Sequence, residues 1–236
     1  MKKKTLIFTA TYNESGNIEK YLSAILKNKN IDLLIIDDSS PDGTFSIIKR
    51  YKKKYKNLFL IIRKKKLGLD TAHKLAFKIA KKKNYDNLVT MDADLSHNPY
   101  KIKYFISALK KYPFVIGSRY IDGGQNRMKF SRFVLSYLGN KFIKFVLNLN
   151  CNEFTTSYRG FNLSKLKNFD IKIVNSKGYS FFMETIFWIN KYGYQIKELP
   201  IIFYDRDKGK SKISKIESFR TLKNLLLLKL KKFNKL

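Results

Sequence analysis

Five short apolar runs constrain this chain most: Leu6 to Ala10, Leu33 to Ile36, Leu58 to Ile62, Leu88 to Met91 and Phe114 to Ile116. Each is apolar throughout or nearly so, the pattern of a strand buried on both faces. Between them lie segments of helical period, at Ile18, Tyr21, Leu22 and Ile25 and again at Ala72, Leu75, Ala76, Ile79 and Ala80. Strands alternating with crossover helices predict an α/β fold, its mostly parallel central sheet covered by helices on both faces. Ligands of such sheets bind outside the carboxyl ends of the strands, so the chemistry is expected along that edge.

Past Gly123-Gly124 the alternation stops. The pattern then predicts a helix from Phe130 to Asn148, a helix from Phe181 to Tyr192, a strand from Gln195 to Phe203 and a charged loop from Asp205 to Lys212. The segment 213–236 reads as a basic amphipathic helix, with Ile213, Ile216, Phe219, Leu222, Leu226, Leu230 and Phe233 on one face and several lysines elsewhere. An alternative for the same helix is that Leu225 to Leu228 pack on the domain itself.

The 236 residues suit one compact domain, and their aliphatic and aromatic content excludes a disordered chain. A net charge of +31 points towards phosphate-bearing or anionic partners, but 41 of the 49 basic residues are Lys, a bias that AT-rich codon usage produces by itself. The eight arginines are more telling, because a planar fork grips phosphate bidentately. The single cysteine, Cys151, rules out an internal disulfide. No run reaches the roughly 18 to 20 apolar residues of a spanning helix. Neither His73 nor His97 belongs to a pair spaced for zinc, so a His-based metal centre or triad is not indicated.

The sharpest motif is Met91-Asp92-Ala93-Asp94-Leu95-Ser96-His97, directly after an apolar run. In extended backbone residues i and i+2 share a face, so Asp92 and Asp94 can converge on one hard cation, Mg2+ or Mn2+, together with substrate phosphates. His97 can reach the pair or cap the loop. Three further elements are expected at the same edge. Ala10-Thr11-Tyr12-Asn13-Glu14 offers a stacking ring and a carboxylate acceptor. Asp37-Asp38-Ser39-Ser40-Pro41-Asp42-Gly43-Thr44 brings two strand-end carboxylates, with Asp42 and Thr44 suited to a turn and a cap. Lys66-Leu67-Gly68-Leu69 enters another helix.

Taken in order, "TYNE", "DDSSPDGT", "KLGLDTA", "MDADLSHNP", "IGSRY", "EFTTSYRGF", "GYSFFMET" and "DRDKGKSK" resemble family 2 glycosyltransferases over nearly the whole chain. Within them they resemble the dolichol-phosphate, or polyprenyl-phosphate, mannose synthase branch. The resemblance implies the GT-A nucleotide-diphospho-sugar transferase fold in a catalytic domain 1–212, with a nucleotide-binding half 1–122 and an acceptor half 123–212. It implies Ala10, Tyr12, Glu14, Ile36 and Asp38 around the guanosine, and Asp92, Ala93 and Asp94 near the diphosphate. Asp94 is then the first metal ligand, Asp92 the second, and Ser96 a weak or water-mediated one. Arg119, Arg206 and Lys212 point to donor or acceptor phosphates, Arg132 and Ser136 to the lipid phosphate, and Arg159 follows the "TTS" segment. Asp94, Arg119 and Arg206 are expected to act on the reacting groups. Glu184 serves either as a buried anchor or in the sugar pocket. Departures from the pattern are Ala10 for a proline, Asp70 for a small residue and Tyr137 for a basic one.

The implied reaction is in-line attack of polyprenyl phosphate on the anomeric carbon of GDP-mannose, with inversion. A phosphate is already anionic near neutral pH, so no general base is called for and the work is orientation and stabilisation of the leaving diphosphate. The lipid acceptor implies peripheral association with the cytoplasmic face of a membrane, through the last helix or a separate anchoring subunit. That membrane is the endoplasmic reticulum in a eukaryote and the plasma membrane in a prokaryote. The rival within the fold is a UDP-sugar donor. A nucleic-acid partner is disfavoured, since acids clustered at strand ends repel phosphate unless a metal intervenes.

Overall fold

The computed structural model describes residues 4–204 and the helix 215–233, with that helix's side chains described for residues 220–231. Chain order is β1 (Thr5–Thr11), α1 (Ile18–Leu26), β2 (Ile31–Asp37), α2 (Thr44–Lys52), β3 (Leu58–Ile62), α3 (Leu69–Lys82), β4 (Asn87–Thr90), α4 (Ile102–Leu109) and β5 (Phe114–Ser118). There follow β6 (Gln125–Arg127), α5 (Phe130–Leu147), β7 (Arg159–Asn162), α6 (Ser180–Lys191), β8 (Ile196–Pro200), β9 (Ile202–Tyr204) and α7 (Lys215–Phe233). All five predicted apolar runs form strands.

Seven strands make one sheet in the order β3-β2-β1-β4-β7-β5-β8. β3, β2, β1 and β4 pair in parallel, as do β5 and β8, while β7 runs antiparallel to both neighbours. The two-residue pleat then sorts side chains into two cores. Leu6, Phe8, Leu34, Ile36, Leu88, Phe114 and Ile116 face α3, α5, α6 and α7. Ile7, Leu33, Ile35, Val89 and Val115 face α1, α2 and α4.

Three features depart from the sequence expectation. β7 was not anticipated, because Arg-Gly-Phe-Asn carries no apolar run, yet all four residues are buried. Gly160 is needed within it, since a Cβ there would lie 2.9 Å from Leu109 Cδ1. The single strand expected from Gln195 to Phe203 divides into β8 and β9, which pairs with β6 in a separate two-stranded sheet. Pro200 has no N–H to continue the ladder, and Ile201 turns inward and donates its own N–H to Ser118 O at 3.0 Å. Lastly, α7 has two apolar faces. Leu225 and Leu228 are buried in the core, while Leu222, Leu226 and Leu230 of the anticipated stripe point outward. Ile213 lies outside the described residues, as do the side chains of Ile216, Phe219 and Phe233.

His73 of α3 is buried among Phe8, Phe181 and Phe182, with ring centroids at 5.0, 5.5 and 5.1 Å. Burial, with the charge of Arg159 adding to it, pulls its pKa from 6.5 down to about 3. Between those two values the unfolded chain binds the proton and the folded chain does not, so stability falls on acidification through that window. Denaturant titrations from pH 7 to pH 4 should show this fall, and His73→Phe should flatten it.

Candidate active site

The four parallel strands bring their carboxyl ends to one edge, and main-chain bonds continue the pairing past the strands. Asp38 N donates to Thr11 O (3.1 Å), Arg63 N to Asp37 O (2.8 Å) and Met91 N to Phe8 O (3.1 Å). The exits of β3, β2, β1 and β4 therefore stand side by side. Three non-glycine residues just past three of these strands have positive φ: Asn13 at 59°, Ser39 at 55° and Leu95 at 63°. For leucine the left-handed region costs about 1–2 kcal/mol, so the surroundings of Leu95 must hold it there.

The first two loops are laced together. Asn13 N donates to Ser40 Oγ (3.0 Å), Glu14 N to Thr44 Oγ1 (2.9 Å) and Ser15 N to Asp42 Oδ2 (2.9 Å). Asp37 is wholly buried, accepting from Thr11 Oγ1 at 2.7 Å and from Ser40 N at 2.9 Å. Asp42 Oδ1 accepts from Thr44 N at 3.0 Å, the turn-and-cap arrangement expected of that pair. Much of "DDSSPDGT" thus braces the loop after β1. The half-buried Tyr12 has Lys66 Nζ 4.3 Å from its ring centroid, and Glu14 Oε2 accepts from Asn17 Nδ2 at 3.0 Å. Ala10 is partly buried beside the core, whereas Ile36 is fully buried, so its side chain does not reach the cleft as the resemblance implied.

Asp38 is also engaged, and by a residue that sequence reading missed. Its Oδ1 accepts from Arg63 Nε and its Oδ2 from Leu67 N at 3.1 Å. Arg63 extends the bracing to Thr71 Oγ1 (2.6 Å) and Gly68 O (3.1 Å). The available signal was an arginine one residue beyond an apolar strand in a chain where Arg is scarce. Asp70, the other departure in this region, accepts from Gly178 N at 3.0 Å and so ties the start of α3 to the loop before α6.

In the Asp-x-Asp loop the structure corrects the geometric argument. β4 ends at Thr90, so turns rather than the pleat orient the carboxylates. Asp92 keeps a side chain 39% exposed, while Ala93 and Asp94 are buried. Asp94 Oδ1 accepts from Ser96 N (3.1 Å) and Ser96 Oγ (2.6 Å), so the Ser96 hydroxyl orders Asp94. His97 caps the loop: Nδ1 accepts from Asp92 N at 3.3 Å, which puts the proton on Nε2, 3.2 Å from Thr156 Oγ1. Burial, the dominant influence, lowers its pKa although Asp92 and Asp94 push the other way, so the ring is neutral near pH 7. Among the described residues no group of three or more His, Cys, Asp or Glu is placed to hold a metal. Hard oxygen donors from one or two carboxylates, completed by substrate phosphates, are the set that Mg2+ or Mn2+ accepts, and Asp92 and Asp94 fit it.

On the β5 side, Arg119 is buried and paired with Glu153, Nε to Oε2 at 2.7 Å and Nη2 to Oε1 at 2.9 Å. Tyr120 hydroxyl donates to Ser136 Oγ at 2.7 Å, and Arg132 is half-buried on the same helix, α5. Arg206 and Lys212 lie outside the described residues. The chain enters that segment beside the carboxylate loop, because Tyr204 N donates to Ser96 O at 3.3 Å. Two residues are internal anchors. Arg159, which follows the "TTS" segment, is 1% exposed and donates to the carbonyls of Thr156, Phe182 and Phe154. Glu184 accepts from Asn175 N, Ser176 N and Trp188 Nε1, which decides for the anchor over the pocket.

Gly68 closes the bracing at φ 94°, ψ 155°, a region open to glycine alone. Gly68→Ala should lower unfolding free energy by about 1–3 kcal/mol in a denaturant titration. An unchanged midpoint would show that the Arg63 brace tolerates another backbone path.

Comparison with known proteins bears on what this edge does. The family described as glycosyl transferase family 2 matches residues 6–169. An undecaprenyl-phosphate mannosyltransferase of Micrococcus luteus is 32% identical over 213 residues, covering 89% of this chain and 88% of that protein. A polyprenol monophosphomannose synthase of Mycolicibacterium smegmatis is 32% identical over 216 residues, covering 90% of this chain and 82% of that protein. Among solved structures, a glucosyl-3-phosphoglycerate synthase from Mycobacterium tuberculosis, in complex with Mn2+, uridine diphosphate and phosphoglyceric acid, superposes with a TM-score of 0.73 at 13% identity over 96% of this chain and 78% of that one. A mannosyltransferase from Pyrobaculum calidifontis, in complex with GDP-Man and Mn2+, gives 0.59 at 17% identity over 89% of this chain and 59% of that one. At such identities the structures speak for the GT-A-like fold alone.

Proposed function

The chain belongs to glycosyl transferase family 2, and from that premise we propose that it transfers mannose from GDP-mannose to a polyprenyl phosphate with inversion at the anomeric carbon. The chain is a glycosyltransferase; the named donor and acceptor are supported by the two relatives and by the motif order. The observation that carries the reading is the convergence of the loops after β1, β2 and β4 on one sheet edge, where the Asp92–Asp94 loop adjoins the loop of Tyr12 and Glu14 and Asp38 follows the strand on its other side. In this reading residues 1–122 are the nucleotide-binding half and 123–212 the acceptor half, with Arg119 of the first assigned to the acceptor phosphate and Arg206 and Lys212 of the second to the leaving group.

Asp94, with Asp92, would hold a Mg2+ or Mn2+ ion, which when bound supplies counter-charge for the diphosphate. The chain's own residues do the rest. Ser96 and His97 fix the loop that aims the two carboxylates. Arg119, Arg132 and Ser136 orient the acceptor phosphate, and the family resemblance assigns the leaving phosphates to Arg206 and Lys212, which lie outside the described residues. No base is required, since the attacking oxygen is already ionised. A panel of radiolabelled GDP-mannose, UDP-glucose and UDP-GlcNAc, with polyprenyl phosphate and with or without Mg2+ or Mn2+, tests the proposal. Lipid-extractable product should form from GDP-mannose only with metal, and Asp94→Ala should lose about 10²–10³-fold or more in kcat. Product from a UDP-sugar instead would overturn the donor assignment.

A lipid acceptor calls for a membrane-facing surface, and α5 with α7 supplies one. No described helix is long and apolar enough to cross a membrane. The two helices pack on one another and leave Leu135, Leu138, Phe142 and Phe145 of α5 exposed alongside Leu222, Leu226 and Leu230 of α7. The exposed Lys129 just before α5, Lys141 of α5, and Lys223 and Lys229 of α7 accompany them, a combination suited to apolar insertion beside anionic headgroups. The double substitution Phe142→Gln, Phe145→Gln should leave the unfolding midpoint unchanged and weaken co-flotation with anionic vesicles about tenfold, roughly 1.4 kcal/mol. Unaltered flotation would move the docking role to a separate anchoring subunit.

A further inference from the structure

Arg119 and the Asp92–Asp94 loop come from different strands, and one short segment, Glu153 to Tyr158, touches both. Glu153 has no solvent exposure. Its Oε2 accepts from Arg119 Nε, and its Oε1 from Arg119 Nη2, Thr155 N (3.0 Å), Thr155 Oγ1 (2.9 Å) and Thr156 N (3.3 Å). Thr155 Oγ1 also lies 2.8 Å from Arg119 Nη2. The rings of Tyr120 and Phe203 lie 4.9 and 5.2 Å from the guanidinium carbon. The fork is therefore gripped along its Nε–Nη2 edge, and Nη1 makes no hydrogen bond to another described residue.

Three residues after Glu153, the same segment fixes the carboxylate loop. Thr156 Oγ1 lies 3.2 Å from His97 Nε2, and His97 Nδ1 accepts from Asp92 N. Tyr158 hydroxyl donates to Asn98 O at 3.2 Å, and Thr90 Oγ1 at the end of β4 donates to Ser157 O at 2.5 Å. The segment is itself rigidly held. Arg159 donates to the carbonyls of Phe154 and Thr156, and Phe154 N donates to Asn140 Oδ1 at 2.7 Å.

We propose that Glu153 is a positioning residue for transfer: through Thr155 and the side-on pair it presents the Nη1 end of Arg119 to the acceptor phosphate, at a distance from the Asp92–Asp94 loop set by residues 153–158. This rests on the reading of Arg119 as an acceptor-phosphate group. The pair also attenuates attraction, because a buried carboxylate beside the guanidinium cancels much of its charge. Orientation is thereby gained at some cost in affinity for an anion. The trade makes a kinetic signature that a merely structural ion pair would not produce. Removing the carboxylate charge strengthens the local positive potential and loosens the fork, so acceptor KM and kcat both fall.

The experiment compares Glu153→Gln, Arg119→Gln and the double variant in steady-state transfer, with thermal unfolding as the control for folding. Glu153→Gln should lose about 10–100-fold in kcat, the order expected for a reacting group displaced by an ångström or less. Its KM for polyprenyl phosphate should fall about threefold or more while the donor KM stays unchanged. In the Arg119→Gln background Glu153→Gln should cost nothing further in kcat/KM. Thr155→Val, which loosens the same grip but keeps the carboxylate charge, should lower kcat with acceptor KM unchanged and cost nothing further in the Arg119→Gln background; it serves if Glu153→Gln does not fold. Additive losses, or a kcat loss in folded Glu153→Gln with acceptor KM unchanged, would overturn the proposal. Wild-type transfer by Arg119→Gln would instead remove Arg119 from the acceptor site and sink the reading beneath it.

Discussion

Parallel pairing of β1 with β2 on one side and β4 on the other is the constraint on which everything else in this molecule rests. Parallel strands send their carboxyl ends the same way, so the loops that follow them meet at one edge however far apart they lie in sequence. The pairing demands burial on both faces, and the chain meets that demand with Leu6, Phe8, Leu34 and Ile36 on one side and Ile7, Leu33 and Ile35 on the other. With the register Phe8↔Thr90 and Thr11↔Asp37, the carboxylates after β4 and β2 flank the loop after β1.

What holds those loops is mostly polar. Asp37, Ser40, Asp42 and Thr44 spend their hydrogen-bonding capacity on the loop after β1, and Arg63 spends its fork on Asp38, Gly68 and Thr71. A motif dense in Asp, Ser and Thr thus consists largely of braces, and these hold Asn13 and Ser39 in a costly backbone region. Rigid loops suit a reaction that needs orientation and charge stabilisation more than proton transfer.

The second half of the chain works differently. It closes one core with α5, α6 and α7, and it hides an arginine and a glutamate, Arg159 and Glu184, to satisfy main-chain carbonyls and amides that irregular backbone leaves inside. Here charge is a structural device. α7 serves two environments, with Leu225 and Leu228 turned into the core and Leu222, Leu226 and Leu230 turned outward, beside an apolar face of α5.

The amino-acid sequence by itself determined the parallel core strands, most helices and the strand-end loops to which the proposed chemistry is assigned. Local periodicity and strand-end motifs depend on neighbours a few residues away. It left β7, the split at Pro200, Arg63 and the Glu153 pairing with Arg119 unread, since each is set by partners 25 or more residues distant, as Arg63 is from Asp38 and Arg119 from Glu153. The same limit applied to Ile36, which the family resemblance placed at the guanosine, and to Arg159, since only packing could show both to be enclosed. Tertiary structure decided which carboxylates face outward, which are tied down and which side of α7 meets the core. Burial and hydrogen-bond satisfaction are properties of the whole three-dimensional contact set, and no window of sequence contains it.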